Sequence, residues 1–339
     1  MTRILVIAPS WVGDAVLAQP LFARLHDRHR GLELDVLAPP WTHALFSRMR
    51  EVHSVLASPF GHGELALARR YRLARELRRH RYDQAIVLPN SFKSALIPRF
   101  AGIPLRTGFV GEARTVLLND ARRLDKNVLP LMVERFAALA EPPGRDLPRP
   151  LPPARLAIDA TQRTATLARL GLTLQSPVAV LCHGAEYGPA KRWPAEYFAE
   201  LARRLVDAGY DVWLAGSAKD AEIGEEIVRV SERPCVNLSG RTTLAEAIDL
   251  MSCAAIVVSN DSGLMHVAAA LAKPLIAIFG SSSPAFTPPD SPDAQIVRLD
   301  LPCSPCFERV CPLGHFNCML QLKPDLVWDR IDFAKIKPL

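Results

Sequence analysis

No stretch of this 339-residue chain approaches the roughly 20 consecutive apolar residues a spanning helix needs, so no transmembrane segment is expected. The opening MTRILVIAPSWVGD has one Arg and a short apolar stretch that runs straight into polar and glycine residues. It reads as a first buried strand and not as a signal peptide, and a cytoplasmic protein is expected. The dinucleotide fingerprint G-x-G-x-x-G is missing from both halves, which argues against an NAD-dependent oxidoreductase. No G-K-[ST] follows the glycines at 184–188, so there is no P-loop, and no D-x-D metal-binding pair stands at a strand end. Seven cysteines are too few for a secreted disulfide scaffold of this length. No internal repeat of solenoid period is present.

What is there is an ordinary globular composition, 49% hydrophobic and 22% charged, in a chain long enough for two domains. The net charge of +6 is unevenly spread. Residues 1–150 hold 23 Lys and Arg against 14 Asp and Glu, an excess of +9, whereas the remainder holds 18 against 21. Much of the excess lies in Arg69, Arg70, Arg72, Arg75, Arg78, Arg79 and Arg81. Such a run is either a solvated helix face or a surface turned toward something anionic, such as a phosphorylated lipid layer. No recognition motif accompanies it, so nucleic acid is not an expected partner.

Short apolar strands alternate with amphipathic helices, the pattern of parallel α/β architecture. Strands are expected at Ile4–Ala8, Glu33–Ala38 and Gln84–Leu88. A proline-dense stretch, EPPGRDLPRPLPPAR at 141–155, reads as a semi-rigid linker because proline fixes φ and removes a donor. The alternation then restarts, with strands expected at Val178–Cys182, Asp211–Ala215, Ile256–Ser259 and Leu275–Phe279. Helices are expected at Ala195–Ala208 and Leu264–Ala272. Domains at 1–155 and 156–339 would leave a cleft between them, with ligands at the carboxyl ends of the strands.

Three strand-end loops carry the candidate chemistry. In Ser10-Trp11-Val12-Gly13-Asp14, Asp14 stands where a helix N-cap belongs, and it is open as a cap or as a general base facing the cleft. In the loop His183-Gly184-Ala185-Glu186-Tyr187-Gly188-Pro189-Ala190-Lys191-Arg192, small residues allow close backbone approach to a ligand. Lys191 and Arg192 there are either exposed cations of an ordinary loop or neutralisers of an anionic leaving group. Asn260-Asp261-Ser262-Gly263 feeds a strong helix former, whose free amides and positive dipole end suit an anion. His266 falls in that first turn, as a structural residue or a ligand contact.

Together these loops resemble the ADP-heptose:lipopolysaccharide heptosyltransferases, glycosyltransferase family 9. The matching stretches are APSWVGDAVLAQPL, HGAEYGPAKRWP, LAGSAKDAE, VSNDSGLMHVAAAL and CSPCFERVCPLGHFNCM, spread over nearly the whole chain. The SWVGD start, the GAEYGPAKRWP loop and the cysteine-rich segment look most like the members that add the second heptose of the inner core. The resemblance implies two Rossmann-like domains facing across a cleft, the GT-B architecture. It implies an inverting transfer from ADP-heptose to the first heptose on Kdo2-lipid A, at the cytoplasmic face of the inner membrane with peripheral association. Carried over by position, Asp14 is the base and Lys191 offsets charge on the departing diphosphate. Asp261, Ser262, Gly263 and His266 would hold the diphosphate and sugar, and Gly184 and Ala185 match a backbone cradle. Asp220 or Glu222 is left for the adenosine ribose. A CHGAE start, where the family pattern has proline before the glycine, is a departure. No obligatory cofactor is implied, and Mg2+ stimulation is left open.

Cys182, Cys235 and Cys253 lie in or near apolar stretches and read as packing residues. Cys303, Cys306, Cys311 and Cys318, with His315 among them, are open as a four-ligand structural zinc site or as a reduced cluster packing a loop, and their spacing matches no standard zinc ribbon. Three alternatives remain: a family member with a different acceptor, including one adding the first heptose; a nucleotide-sugar epimerase of the same architecture; and a non-catalytic sugar-nucleotide binder. A binder needs no base, so Asp14 and Lys191 together weigh against the last. Acceptor choice is expected in the first domain, around Asn90–Ser94 and Gly108–Arg114.

Overall fold

The computed structural model describes residues 2–61 and 63–334. The chain separates into two compact units, Met1–Ala154 and Arg155–Leu339. The first holds six parallel strands: β1 (Arg3–Ile7), β2 (Glu33–Ala38), β3 (Ser54–Ala57), β4 (Gln84–Val87), β5 (Leu105–Phe109) and β6 (Asp120–Arg122). Their order in the sheet is β3-β2-β1-β4-β5-β6. The second unit holds β7 (Val178–Cys182), β8 (Asp211–Leu214), β9 (Cys235–Asn237), β10 (Ala254–Asn260), β11 (Leu275–Ile278) and β12 (Ala294–Val297), also all parallel, in the order β12-β11-β10-β7-β8-β9. Numbered within its own unit, the second sheet has the same winding as the first, so both units are doubly wound α/β folds, as the alternation predicts.

The central strands form because both sheet faces are covered. All five residues of β7 are buried, as are all but the first of β1 and of β2, which matches runs of Val, Ile and Leu without polar alternation. One face of the first sheet packs Leu5, Ile7 and Leu37 against Ala74, Leu77 and Ile97. In the second unit Leu181, Val258 and Ile278 meet Phe198, Leu201 and Leu205 of the helix Ala195–Asp207. The helix expected after β1 is in fact two, Val12–Leu17 and Gln19–Arg28. Pro20 has no amide hydrogen for the carbonyl four residues back, so the ladder stops at Ala18 and restarts. No described helix is long and apolar enough to cross a membrane.

The proline-dense stretch is not loose. Glu141, 4% exposed, receives Arg24 Nε at 2.6 Å, and Arg149 Nε lies 2.7 Å from Glu134, so side chains near both ends of 141–149 strap it to the first unit.

Within the first unit, Arg114 joins the two segments expected to govern acceptor choice. Its guanidinium is fully buried. It donates to the Phe109 carbonyl at 2.9 and 2.5 Å, to Asn90 Oδ1 at 3.0 Å and to the Pro89 carbonyl. Burial pushes its pKa down to about 10. A Cβ on Gly111 would fall 2.9 Å from the Asn90 carbonyl oxygen, so the loops after β4 and β5 touch backbone to backbone. Arg114→Met leaves these oxygens buried without a donor. It should lower the unfolding free energy by about 3 kcal/mol in denaturant titration. A change below about 0.5 kcal/mol would show the staple to be dispensable.

Candidate active site

In doubly wound sheets ligands bind where the winding reverses, between the first and fourth strands of each unit. In the second unit that point lies between β7 and β10, and the loops leaving these strands are 183–194 and 261–262. The two are stitched together by Asn260, the last residue of β10. Its Nδ2 donates to the His183 carbonyl at 2.7 Å and its Oδ1 accepts from the Trp193 amide at 3.1 Å. Asn260 thus grips both ends of the Lys191 loop and is itself fully buried.

Lys191 ends the short turn Pro189–Lys191, and its Nζ lies 2.5 Å from Asp261 Oδ2. The Ser282 hydroxyl donates to the same oxygen. The ammonium also lies 4.8 Å from the centre of the Tyr187 ring. Asp261 thus holds Lys191 in place. Ser262 caps the helix Gly263–Ala270 in an extended conformation without a side-chain cap bond, leaving the first-turn amides for a ligand. His266, in that helix, is 4% exposed, and its Nδ1 has no hydrogen-bond partner among the described residues. Burial foremost lowers its pKa to about 4, so the ring is neutral.

Gly184 and Ala185 lie at the start of the loop, Ala185 buried. A Cβ on Gly184 would fall 2.5 Å from Asp220 Oδ2, so the glycine is there for close packing on that carboxylate. Asp220 is 7% exposed and spends Oδ2 on Ser217, on its amide at 2.9 Å and on its hydroxyl at 2.7 Å. It completes a capping box with Ser217, the N-cap of the turn Ala218–Asp220, while Glu222 stands exposed in the next helix. His183, departing from the proline of the family pattern, is buried edge-on to Phe198 and bonded through Nε2 to the Asp220 carbonyl at 3.0 Å.

A segment beyond β12 braces the same loop. Ala190 donates its amide to the Arg309 carbonyl at 3.1 Å, the Tyr187 hydroxyl donates to the Phe307 carbonyl at 2.5 Å, and a Cβ on Gly188 would fall 2.4 Å from the Arg309 oxygen. Cys303, Cys306, Cys311, Cys318 and His315 line one small hollow with Ala190 and Ser281. Among the described residues no group of three or more His, Cys, Asp or Glu side chains is placed to hold a metal ion. Amides, that of Phe316 foremost at 3.4 Å, hold the Cys311 thiol below its ordinary pKa. Cys182 and Cys253 are buried packing residues, and burial raises both thiols.

In the first unit the winding reverses between β1 and β4. Asp14 is not an N-cap: Trp11, extended at φ −88° and ψ 138°, occupies that position, and Asp14 is the third residue of the helix Val12–Leu17. A carboxylate there is favoured by the helix dipole, and Asp14 is partly accessible. The basic run divides. Arg70 is buried over the Phe60 ring and bonds the Leu65 and Glu64 carbonyls, whereas Arg72, Arg75, Arg79 and Arg81 are exposed. Asn260 and Ser282 were missed as functional residues; the N-D-S-G string contains the first, but nothing local marks the second.

The family model described as glycosyltransferase family 9 (heptosyltransferase) matches residues 70–317. Lipopolysaccharide heptosyltransferase 2 of Salmonella typhimurium is 51% identical over 338 residues, and that of Escherichia coli 46% identical over 339, each match covering 97% of both chains. The solved structure of the E. coli ADP-heptose lipopolysaccharide heptosyltransferase II superposes with a TM-score of 0.88 at 44% identity, over 99% of this chain and 98% of that one.

The buried histidine gives a pH signature. His266 carries a pKa near 4 folded against an ordinary 6.5, so the unfolded chain binds the extra proton between these values. Stability is then full above about pH 6.5 and falls as pH drops toward 4. His183, also lowered by burial, adds in the same direction. Across that window His266→Gln should lose about 3 kcal/mol less than wild type, read by urea unfolding at a series of pH values. Parallel curves would contradict a buried neutral ring.

Proposed function

The chain belongs to glycosyltransferase family 9, the heptosyltransferases, and from that premise we propose that it transfers L-glycero-D-manno-heptose from ADP-heptose to the first heptose of the lipopolysaccharide inner core. The observation that carries the reading is Lys191, held by Asp261 beside the open start of the helix Gly263–Ala270, at the switch point of the second unit. A half-buried cation next to free helix amides is what a leaving diphosphate needs.

In the proposed mechanism Asp14 accepts the proton of the acceptor hydroxyl as its oxygen attacks C1 of the donor heptose. The C1–O bond to the diphosphate breaks, its electron pair passes to the phosphate oxygen, and ADP leaves. A single displacement inverts C1. Lys191 and the amides around Ser262 and Gly263 stabilise the charge that develops on the diphosphate. Neutral His266 contributes a hydrogen bond without adding charge. Gly184 and Ala185 border the donor, with Glu222 the freer carboxylate for the ribose because Asp220 is committed to its cap.

The acceptor's acyl chains stay in the bilayer, so the enzyme works at a membrane surface, and the exposed Arg72, Arg75, Arg79 and Arg81 suit an anionic leaflet. Raising salt from 0.1 to 0.5 M should release the protein from anionic vesicles in a sedimentation assay. Salt-independent binding would remove this part of the reading.

The transfer itself is tested with ADP-heptose against acceptors carrying zero, one and two heptoses. Product should form chiefly with one. Asp14→Ala should retain donor affinity and lose about 10³-fold in kcat. Turnover with the heptose-free acceptor would move the chain to a different acceptor, and a near-normal Asp14→Ala kcat would show that the base is another group.

A further inference from the structure

The five tryptophans divide by environment. Trp193 and Trp213 are core residues, each 2% exposed, while Trp41 is 49% and Trp11 39% exposed. A single exposed aromatic is unremarkable. These two, however, occupy neighbouring strand-end loops of the first unit, Trp11 after β1 and Trp41 after β2. The indole N–H of Trp41 donates to the Ser10 carbonyl at 2.8 Å, and Ser10 opens the loop that leads to Asp14.

The ring is held rigidly although it is exposed. Trp41 sits in the turn Pro40–Thr42, preceded by Pro39 and Pro40, whose φ values are fixed. Fully buried Thr42 closes that turn, donating its amide and its hydroxyl to the Pro39 carbonyl at 3.0 and 3.1 Å. With its only polar atom committed, Trp41 has an indole face and no further hydrogen bond to offer. An aromatic face is electron-rich and matches polarised C–H bonds, which line the faces of a pyranose ring.

We propose that Trp41, flanked by Trp11, is the platform on which the acceptor heptose stacks while Asp14 takes its proton. This rests on the assignment of Asp14 as the base. A general base must lie within about 2.6–3.2 Å of the hydroxyl it deprotonates, so the acceptor ring sits against the 10–14 loop, to which Trp41 is bonded. The ligand class is a neutral sugar ring bound through its apolar face. Such a contact orients the acceptor and does not touch the donor.

The test uses the full chain with ADP-heptose and a de-acylated, water-soluble heptosyl-Kdo2 acceptor, comparing wild type, Trp41→Ala and Trp41→Phe. Trp41→Ala should raise the acceptor KM about tenfold, with the donor KM within about twofold and kcat within about threefold. Trp41→Phe keeps a ring and loses the N–H, and should recover most of the acceptor KM. An unchanged acceptor KM in Trp41→Ala overturns the proposal, as does a lower vesicle affinity without an effect on the soluble acceptor. Equal defects in Ala and Phe would place the effect in the Ser10 bond and also overturn it. Calorimetric titration of the acceptor alone separates this inference from the transfer reading. Wild-type binding that weakens in Trp41→Ala supports the platform whatever the turnover, and wild-type binding without transfer counts against the transfer reading only.

Discussion

The Lys191 loop of this protein depends on one buried asparagine. Asn260 ends β10 with no exposure to water and uses both ends of its amide on the backbone of the loop that follows β7. A loop of small residues such as Gly184, Ala185 and Gly188 has little side-chain packing to hold it, so its conformation must be set by hydrogen bonds from elsewhere. Buried backbone groups left unpaired cost about 1–3 kcal/mol each, and Asn260 satisfies one at His183 and one at Trp193. With its two ends fixed, the loop presents Lys191 to Asp261, the residue next to Asn260. The ion pair is thus a consequence of the asparagine clamp and of the adjacency of two strands.

That adjacency comes from topology. Both units wind their strands in the same order, and in both the reversal falls between the first and fourth strands. In the second unit this joins the loops of His183 and Asp261, 78 positions apart in the chain. In the first it joins the loops of Asp14 and Asn90, the latter bound by Arg114 to the loop after β5. A repeated fold has therefore supplied two strand-end sites of the same construction, and the side chains distinguish them. One carries a carboxylate and exposed tryptophans, the other a cation and open helix amides.

The strands that bear these loops were legible because they are buried on both faces and read as apolar runs; β2 and β7 agree to the residue and the others within one or two. The unforeseen strands β3, β5, β6, β9 and β12 lie at the sheet edges or, for β5, next to one. β6 is Asp-Ala-Arg and β9 Cys-Val-Asn, three residues each, with no periodicity to detect. At the site, Lys191, Ser262, Gly263 and His266 could be named from loop chemistry. Their division of labour could not, because the pairing of Lys191 with Asp261, and of Asp261 with Ser282, are tertiary facts. Trp41 was invisible for a related reason: an isolated tryptophan beside two prolines reads as core until its exposure is known.

A pre-formed bond between Lys191 and Asp261 seems at first to disable the cation. Counting donors removes the difficulty. An ammonium has three N–H groups, and Asp261 takes one. Tyr187 lies against it through its ring and takes none of the rest in a conventional bond. Two donors remain, and the proposed mechanism assigns them to diphosphate oxygens. The carboxylate, itself steadied by Ser282, fixes where they point, so little side-chain entropy is left to lose when the donor binds. The same carboxylate offsets the charge of Lys191, which makes a half-buried lysine tolerable. His266, neutral beside the pair, adds polarity without upsetting that balance. Positive charge in excess of the pair is then concentrated where the helix amides begin, which is where the proposed transfer has the leaving oxygen gather its electrons.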